Sequence, residues 1–165
     1  MPTKLTVDTN IVFSAIIKPG KIRDLILQHQ ELELHAPEEL AMELEELKPK
    51  ILKYTRLTRE EANLITNTIL NKILKIIPRQ AYLQEASQAL KLLENTDPKD
   101  TPFVALAIHL KTPLWTGDKA ILELAAKTGF KHFIAIDTEG VELLLNGEPL
   151  EKVKERMQEK YGARI

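Results

Sequence analysis

The chain has 165 residues, of which 44% are hydrophobic and 28% charged, and its formal net charge is −1 at pH 7. This composition is typical of a globular protein with a sizeable core, and no apolar run approaches the roughly 18 residues that a membrane helix needs. Cysteine is absent, which excludes disulfides and thiolate metal sites, and the N-terminus begins with a strand-like segment rather than a signal peptide. We therefore expect a cytoplasmic protein without a membrane partner.

The first half of the chain is predicted to alternate strands and helices. Apolar residues 5–7 indicate a strand that ends at Asp8, and Asn10 is suited to cap the helix that follows. Pro37 suits the first position of a later helix, which we predict to extend to about residue 52. Three further elements are predicted: a helix at 22–30, a strand at 32–36 and a short strand at 76–78. A capping box formed by Thr58 and Glu61 begins another helix, whose apolar residues keep helical spacing as far as Leu74.

The second half continues the alternation and adds one fully apolar helix. Residues 103–110 are almost wholly apolar, so this helix is expected to be buried. The other predicted elements are a helix at 81–94, a strand at 113–116, a helix at 119–127, a strand at 132–136, a helix at 138–145 and a charged helix at 149–161. Such alternation predicts an α/β fold with a central parallel sheet covered by helices on both faces.

Four acidic residues occupy positions that such a sheet would bring together. Asp8 ends the first strand, Asp118 follows the strand at 113–116, Asp100 precedes the buried helix, and Glu43 lies on the helix after the second strand. Strand C-termini and the N-termini of the following helices share one edge of a parallel sheet, where ligands bind. Clustered carboxylates repel one another unless a proton or a cation is present, and Mg²⁺ or Mn²⁺ prefers such oxygen ligands. The pattern therefore predicts a divalent metal site.

Each of these acids also has a purely structural interpretation. Asp8 with Asn10, Asp100 and Asp118 are all placed where a side chain can cap a helix, and Glu43 can be a surface charge. Alternatives to two members remain open, because Glu39 and Glu46 share the helix of Glu43 and Asp97 stands close to Asp100. Asp137, after the last strand, can be an additional ligand, although capping is the simpler role. If all four structural interpretations held, the four acids would lie at the same edge of the sheet only by chance, which favours the metal site.

Charge is distributed unevenly along the chain. Residues 31–47 contain seven Glu and no base, whereas residues 48–79 contain eight Lys or Arg against two Glu. Such a basic segment can bind a polyanion such as RNA, with Tyr54 and Arg56 near its tip, or it can be a solvated helix face. The apolar residues between 64 and 74 favour core packing or a dimer interface over contact with RNA.

With these residues in place, the chain resembles the PIN-domain family, including VapC-like toxins and archaeal PIN proteins. The segments that carry the resemblance are Val7-Asp8-Thr9-Asn10, Pro37 to Leu44, Asp100 to Ala107 and Thr116-Gly117-Asp118. The resemblance implies a Rossmann-like three-layer fold, with a helical insert around residues 50–79. It further implies one domain over 1–165, with a core of about 1–145 and a charged C-terminal helix at 149–161.

The resemblance also implies an activity and a site. Asp8, Glu43, Asp100 and Asp118 would be the catalytic and metal-binding residues for Mg²⁺ or Mn²⁺, with Asn10 and Thr116 orienting ligands or substrate. The chain would be an endoribonuclease that cleaves RNA to leave 5′-phosphate and 3′-hydroxyl ends. Its expected partners are RNA, a second copy of the chain in a homodimer or higher oligomer, and an antitoxin protein if it is a toxin.

Three other functions are weighed against this one. A dehalogenase-like phosphatase needs a proton-donating Asp two residues after the first, where this chain has Asn10. A dinucleotide-binding protein needs a glycine-rich loop after its first strand, and none is present. A catalytically silent PIN scaffold that binds RNA or protein remains the alternative.

Overall fold

The protein forms a parallel sheet whose strand order reverses beside the first strand. The structure is a computed structural model that describes residues 2–162, within which the sheet has five strands in the order β3-β2-β1-β4-β5. All neighbouring strands pair in parallel. The strands are β1 (Thr3–Val7), β2 (Leu32–Pro37), β3 (Leu74–Ile77), β4 (Leu114–Trp115) and β5 (Ala135–Ile136). This confirms the predicted α/β fold with a central parallel sheet.

Helices connect the strands and cover the sheet. They are α1 (Thr9–Ile17), α2 (Lys21–Gln28), α3 (Glu38–Glu46), α4 (Lys48–Tyr54), α5 (Arg59–Thr68), α6 (Arg79–Tyr82), α7 (Ala86–Leu92), α8 (Thr101–Leu110), α9 (Lys119–Lys127), α10 (Thr138–Leu145) and α11 (Leu150–Tyr161). Shorter turns lie at Ile69–Ile73 (π-helical) and at Leu83–Glu85 and Pro98–Asp100 (both 3₁₀). No helix within residues 2–162 is long and apolar enough to cross a membrane.

The sheet order positions a site between β1 and β4. From β1 the chain moves outward through β2 to β3, and it then returns to the other side of β1 for β4 and β5. In parallel sheets the connections on the two sides of such a reversal leave opposite faces, which opens a crevice at the C-terminal strand ends. Asp8 directly follows β1, and Thr116 directly follows β4. The reversal therefore places both residues beside that crevice.

The segment from 48 to 79 differs from its predicted form. The predicted helix from Pro37 to residue 52 is two helices, α3 and α4, separated at Leu47. Leu74 was predicted to be helical but begins β3, where it pairs with Leu34. The available edge of β2 provides these hydrogen bonds, and such tertiary pairing overrides the local helical spacing. The insert predicted around 50–79 is therefore helical only as far as Ile73, and its last residues complete the sheet.

Smaller differences concern helix ends and the helix predicted at 81–94. Asp8 rather than Asn10 caps α1, because the extended backbone of Asp8 lets Oδ1 accept a hydrogen bond from the Ile11 amide at 3.0 Å. Pro37 has an extended backbone and ends β2 rather than opening α3. A 3₁₀ turn divides the predicted helix at 81–94 into α6 and α7. The helices predicted at 119–127 and 138–145 have the observed bounds.

The core extends from the sheet into α8 and the C-terminal helix. Residues 103–107 of α8 are all buried, as predicted from their apolar run. At the other end of the sheet, Val153 and Met157 of α11 are fully buried against Gly140. A Cβ on Gly140 would approach the Ile136 Cβ to 2.9 Å, so this glycine permits the close packing. Met1 and residues 163–165, the ends of the predicted 1–165 domain, lie outside the described residues.

Candidate metal centre

Asp8 presents a buried carboxylate at the C-terminal end of β1. It is only 7% exposed. One carboxylate oxygen, Oδ1, accepts the capping hydrogen bond from Ile11, and Oδ2 accepts a hydrogen bond from the Thr116 hydroxyl. The pKa of Asp8 is raised to about 6, because burial and, to a smaller extent, the negative charge of Asp118 outweigh the hydrogen bonds that lower it. The ionised form of this carboxylate is therefore poorly stabilised by the protein alone.

Thr116 connects Asp8 to Asp118. Its hydroxyl donates to Asp8 and accepts a hydrogen bond from the Asp118 amide at 3.0 Å. Asp118 in turn caps α9, because its Oδ1 accepts from the amides of Ala120 (2.9 Å) and Ile121 (3.3 Å). The ends of β1 and β4 are thus joined through one hydroxyl group, which places the two aspartates at the same crevice.

Glu43 reaches the same crevice from α3. Its Oε2 accepts a hydrogen bond from the hydroxyl of Thr9, the residue after Asp8. Burial raises the pKa of the Glu43 carboxyl, and the charges of Glu46 and Glu39 raise it further. Sequence analysis did not assign Thr9 a role, although it stands inside the Val-Asp-Thr-Asn motif. Only the packing of α1 against α3 reveals its contact with Glu43.

Asp100 is the carboxylate most strongly affected by its acidic neighbours. Its pKa is raised to about 7, first by burial and then by the charges of Asp118, Asp97, Asp8 and Glu43. Although Asp100 precedes α8, its side chain makes no capping hydrogen bond. Asp97 caps the preceding 3₁₀ turn at Pro98–Asp100, where its Oδ1 accepts from the Lys99 amide at 3.0 Å. A half-buried acid without a capping role, surrounded by other acids, is typical of a functional carboxylate.

Two adjoining cavities contain these side chains. One, of about 500 Å³, is lined by Asp8, Glu43 and Asp100, and this chamber is called the acidic cavity below. The other, of about 530 Å³, is lined by Thr116 and Asp118. The exposed side chain of Asn10 lines both cavities. The four predicted acids thus lie around two cavities that share Asn10, with Asp118 lining one and Asp8, Glu43 and Asp100 lining the other.

The alternative ligands named from the sequence differ in how strongly other contacts hold them. Glu39 accepts a hydrogen bond from the Tyr82 hydroxyl and lies 3.7 Å from the Arg79 Nε. Glu46 is exposed at the rim of the acidic cavity. Asp137 caps α10 through the Gly140 amide and is contacted by Lys160 and Tyr161. These bonds give Glu39 and Asp137 structural roles. Glu43, by contrast, lines the acidic cavity and is hydrogen-bonded to Thr9, the residue after Asp8.

The donor set fits a hard divalent cation. Four carboxylates around one crevice supply the oxygen ligands that Mg²⁺ and Mn²⁺ prefer. Burial, and after it the neighbouring negative charges, raise the pKa values of Asp8 and Asp100, so a bound cation would stabilise their ionised forms. No three acidic or histidine side chains in residues 2–162 are already arranged to hold a metal ion. Both oxygens of Asp8 and one each of Glu43 and Asp118 are engaged in hydrogen bonds, so side-chain rotations would accompany binding.

Lys99 is a second residue to which sequence analysis gave no role. It lies between Asp97 and Asp100, lines the acidic cavity, and partly offsets the raised pKa of Glu43 through its positive charge. Among the residues that the structure describes, it has no ion-pair partner. The sequence alone does not indicate that Lys99 has no ion pair, because it lies in a loop with several acids and the direction of its side chain depends on the loop conformation.

A family model described as PIN domain matches residues 6–159. This range includes all four acids, the last two residues of β1 and the whole of β2 to β5. No curated protein matches the chain.

Proposed function

The chain belongs to the PIN-domain family, and we propose that it is a divalent-metal-dependent ribonuclease that hydrolyses RNA phosphodiester bonds. Members of the family are generally nucleases that use divalent metal ions. The observation that supports the proposal most strongly is the electrostatic coupling of Asp8, Asp100 and Asp118 at the strand-order reversal. Carboxylates that disfavour one another's ionisation in this way gain stability when a cation is bound between them.

The roles of the individual acids follow from their contacts. Asp8, Glu43, Asp100 and Asp118 would hold Mg²⁺ or Mn²⁺, and the hydroxyls of Thr116 and Thr9 would fix the orientation of Asp8 and Glu43. A divalent cation bound there would polarise a phosphoryl oxygen and lower the pKa of bound water, which is the chemistry that phosphodiester hydrolysis needs.

The groups around the acids would position the RNA. Asn10 is exposed between the two cavities, where its amide can donate a hydrogen bond to a phosphate oxygen. Lys99 carries a positive charge that no ion pair neutralises among the described residues, so it can bind a neighbouring phosphate.

A toxin role with an antitoxin partner, and assembly into homodimers, are further parts of this proposal. They derive from the family resemblance of the sequence rather than from a contact in the protein. A solution measurement of mass would test dimerisation, and copurification with a co-expressed small protein from an adjacent gene would test the antitoxin.

Cleavage of labelled single-stranded and structured RNAs tests the ribonuclease proposal. We expect the parent protein to cleave with Mg²⁺ or Mn²⁺ and not with EDTA, leaving 5′-phosphate ends. Asp8→Asn and Asp118→Asn should each lower the rate by about 100-fold or more, as expected when a group that holds an essential metal is lost. Asp24→Asn, an exposed acid in the first turn of α2, serves as the matched control. A parent protein that binds RNA but cleaves none would instead support the silent scaffold.

A further inference from the structure

An apolar groove adjoins the acidic cavity. It is lined by Tyr82, Leu83, Ala86, Leu90, Pro98 and Pro102, and it encloses about 430 Å³. We call it the Leu83–Leu90 groove. Its two leucines are unusually exposed for their size, at 58% for Leu83 and 52% for Leu90. Two large apolar side chains exposed on one groove indicate a binding surface more often than a solvated one.

The groove and the acidic cavity form one continuous surface. Glu39, Glu43 and Lys99 line both. A polymer whose phosphate lies against Asp8 and Asp100 therefore has the groove within reach of its adjacent unit. This continuity distinguishes Leu83 and Leu90 from the other exposed leucines within residues 2–162, Leu27, Leu52 and Leu64, which line neither the groove nor the acidic cavity.

Charge at the rim of the groove favours a nucleotide as the occupant. Lys99 stands where the two cavities join and is not neutralised by an ion pair within residues 2–162. Arg79 lies on the groove lining, and its only ion pair there, with Glu39, is loose at 3.7 Å. A guanidinium can stack on a base, and an ammonium can bind a phosphate. Glu39 and Glu43 also line the groove, so its two cations give it no net positive charge. The apolar floor suits a nucleobase, and Lys99, where the groove joins the acidic cavity, suits its phosphate.

Resting on the proposed ribonuclease function, we propose that the Leu83–Leu90 groove is a nucleobase subsite. It binds the base of the RNA nucleotide next to the scissile phosphodiester, while Lys99 contacts the phosphate between them. Stacking surfaces of this kind accept any base, because every base has an apolar face, and they contribute substantially to single-strand affinity. The subsite makes the protein prefer single-stranded RNA, since a paired base cannot enter the groove.

Binding measured without cleavage tests the subsite separately from the ribonuclease function. Fluorescence anisotropy with Ca²⁺ present would compare a labelled RNA hexanucleotide with a ribose-phosphate hexamer of the same length that lacks bases. We expect the parent to bind the RNA at least about 10-fold more tightly, a difference typical of one stacked base. The double variant Leu83→Ser/Leu90→Ser should lose this difference, whereas Leu27→Ser/Leu64→Ser, which changes two exposed leucines elsewhere, should keep it.

A second variant tests the phosphate contact. Lys99→Ala should weaken the binding of both hexamers about equally, and Lys91→Ala, at an exposed lysine of α7, should weaken neither. The subsite is overturned if the parent binds neither hexamer or binds both equally. It is also overturned if the groove variant retains the base preference, or if that variant converts a dimer to a monomer by light scattering. Base-dependent binding without cleavage in Mn²⁺ would support the subsite and contradict the ribonuclease.

Discussion

The Thr116 hydroxyl donates a hydrogen bond to the Asp8 carboxylate, although 108 positions separate the two residues. The same hydroxyl accepts from the Asp118 amide at 3.0 Å. One buried side chain therefore sets the relative positions of two proposed metal ligands that lie on different strands of the sheet. Hydrogen bonds to a ligating carboxylate are known to hold it in the orientation that the metal needs.

Replacement of Thr116 tests this relationship. Thr116→Val keeps the shape of the side chain but removes the hydroxyl, so we expect kcat/KM for RNA to fall by about 10-fold or more, since hydrogen bonds to charged groups contribute about 1.5–3 kcal/mol. Thr116→Ser retains the hydroxyl and should retain most activity. Equal cleavage by the Val and Ser variants would show that the hydroxyl does not orient Asp8.

Stability of the metal-free protein should decrease as the pH rises. Burial and like charges raise the pKa of Asp8 to about 6 and of Asp100 to about 7, above the ordinary value of an aspartate. The folded state then binds more protons than the unfolded state between about pH 4 and pH 7, so the stability present at low pH is lost as the pH passes through these values. Urea unfolding in EDTA at pH 5 and pH 8 would measure the decrease, and Mn²⁺ should reverse it. Constant stability over this range would contradict the raised pKa values.

Removal of one charge should stabilise the metal-free protein. Asp100→Asn eliminates repulsion with Asp118, Asp97, Asp8 and Glu43, so we expect the free energy of unfolding at pH 8 in EDTA to rise by about 1 kcal/mol. Asp24→Asn is the control, because Asp24 is an exposed aspartate of α2 and is not among the charges that raise the pKa of Asp100. A destabilised Asp100→Asn protein would indicate that Asp100 has a structural contact instead.

Glu39, Glu43 and Glu46 of α3 should respond differently to substitution. Glu43→Gln should reduce metal-dependent RNA cleavage strongly, because Glu43 is the member bonded to Thr9 beside Asp8. Glu39→Gln should chiefly lower stability through its contacts with Tyr82 and Arg79, and Glu46→Gln should change little. Cleavage rates and melting temperatures of the three variants measure both effects. Greater loss of cleavage with Glu46→Gln than with Glu43→Gln would assign the ligand to Glu46.

The C-terminal helix should stabilise the protein through Asp137. Although burial alone would raise the pKa of Asp137, hydrogen bonds from Lys160, Tyr161 and the Gly140 amide lower it overall. Its contribution to stability is therefore present above the ordinary pKa of an aspartate and is lost as the pH falls through the lowered value. Tyr161→Phe removes the 2.6 Å hydrogen bond to Oδ2 and should cost about 1–2 kcal/mol at pH 7. Tyr54→Phe, at an exposed tyrosine, should cost almost nothing in the same urea titration.

Local signals predicted the parts of the fold and site that depend on neighbouring residues. The helices that begin after Asp118 and Asp137 were predicted with their observed bounds because each aspartate caps its own helix. Strand β3 was predicted at 76–78 but spans Leu74–Ile77, because its hydrogen bonds come from β2, about 40 positions earlier in the chain. Within the site, the contact of Thr9 with Glu43 and the freedom of Lys99 both depend on helix packing that no short motif encodes.

Calorimetric titration of Mn²⁺ tests the central claim most directly, because the claim is that Asp8, Glu43, Asp100 and Asp118 together bind a divalent cation. At pH 7.5 we expect saturable Mn²⁺ binding to the parent and to Asp97→Asn, and affinity at least about 10-fold weaker for Asp8→Asn and Asp100→Asn. Binding should also release protons, because carboxylates with raised pKa values must ionise to hold the metal. Absence of Mn²⁺ binding to the folded parent, or equal affinity in all four proteins, would contradict the account.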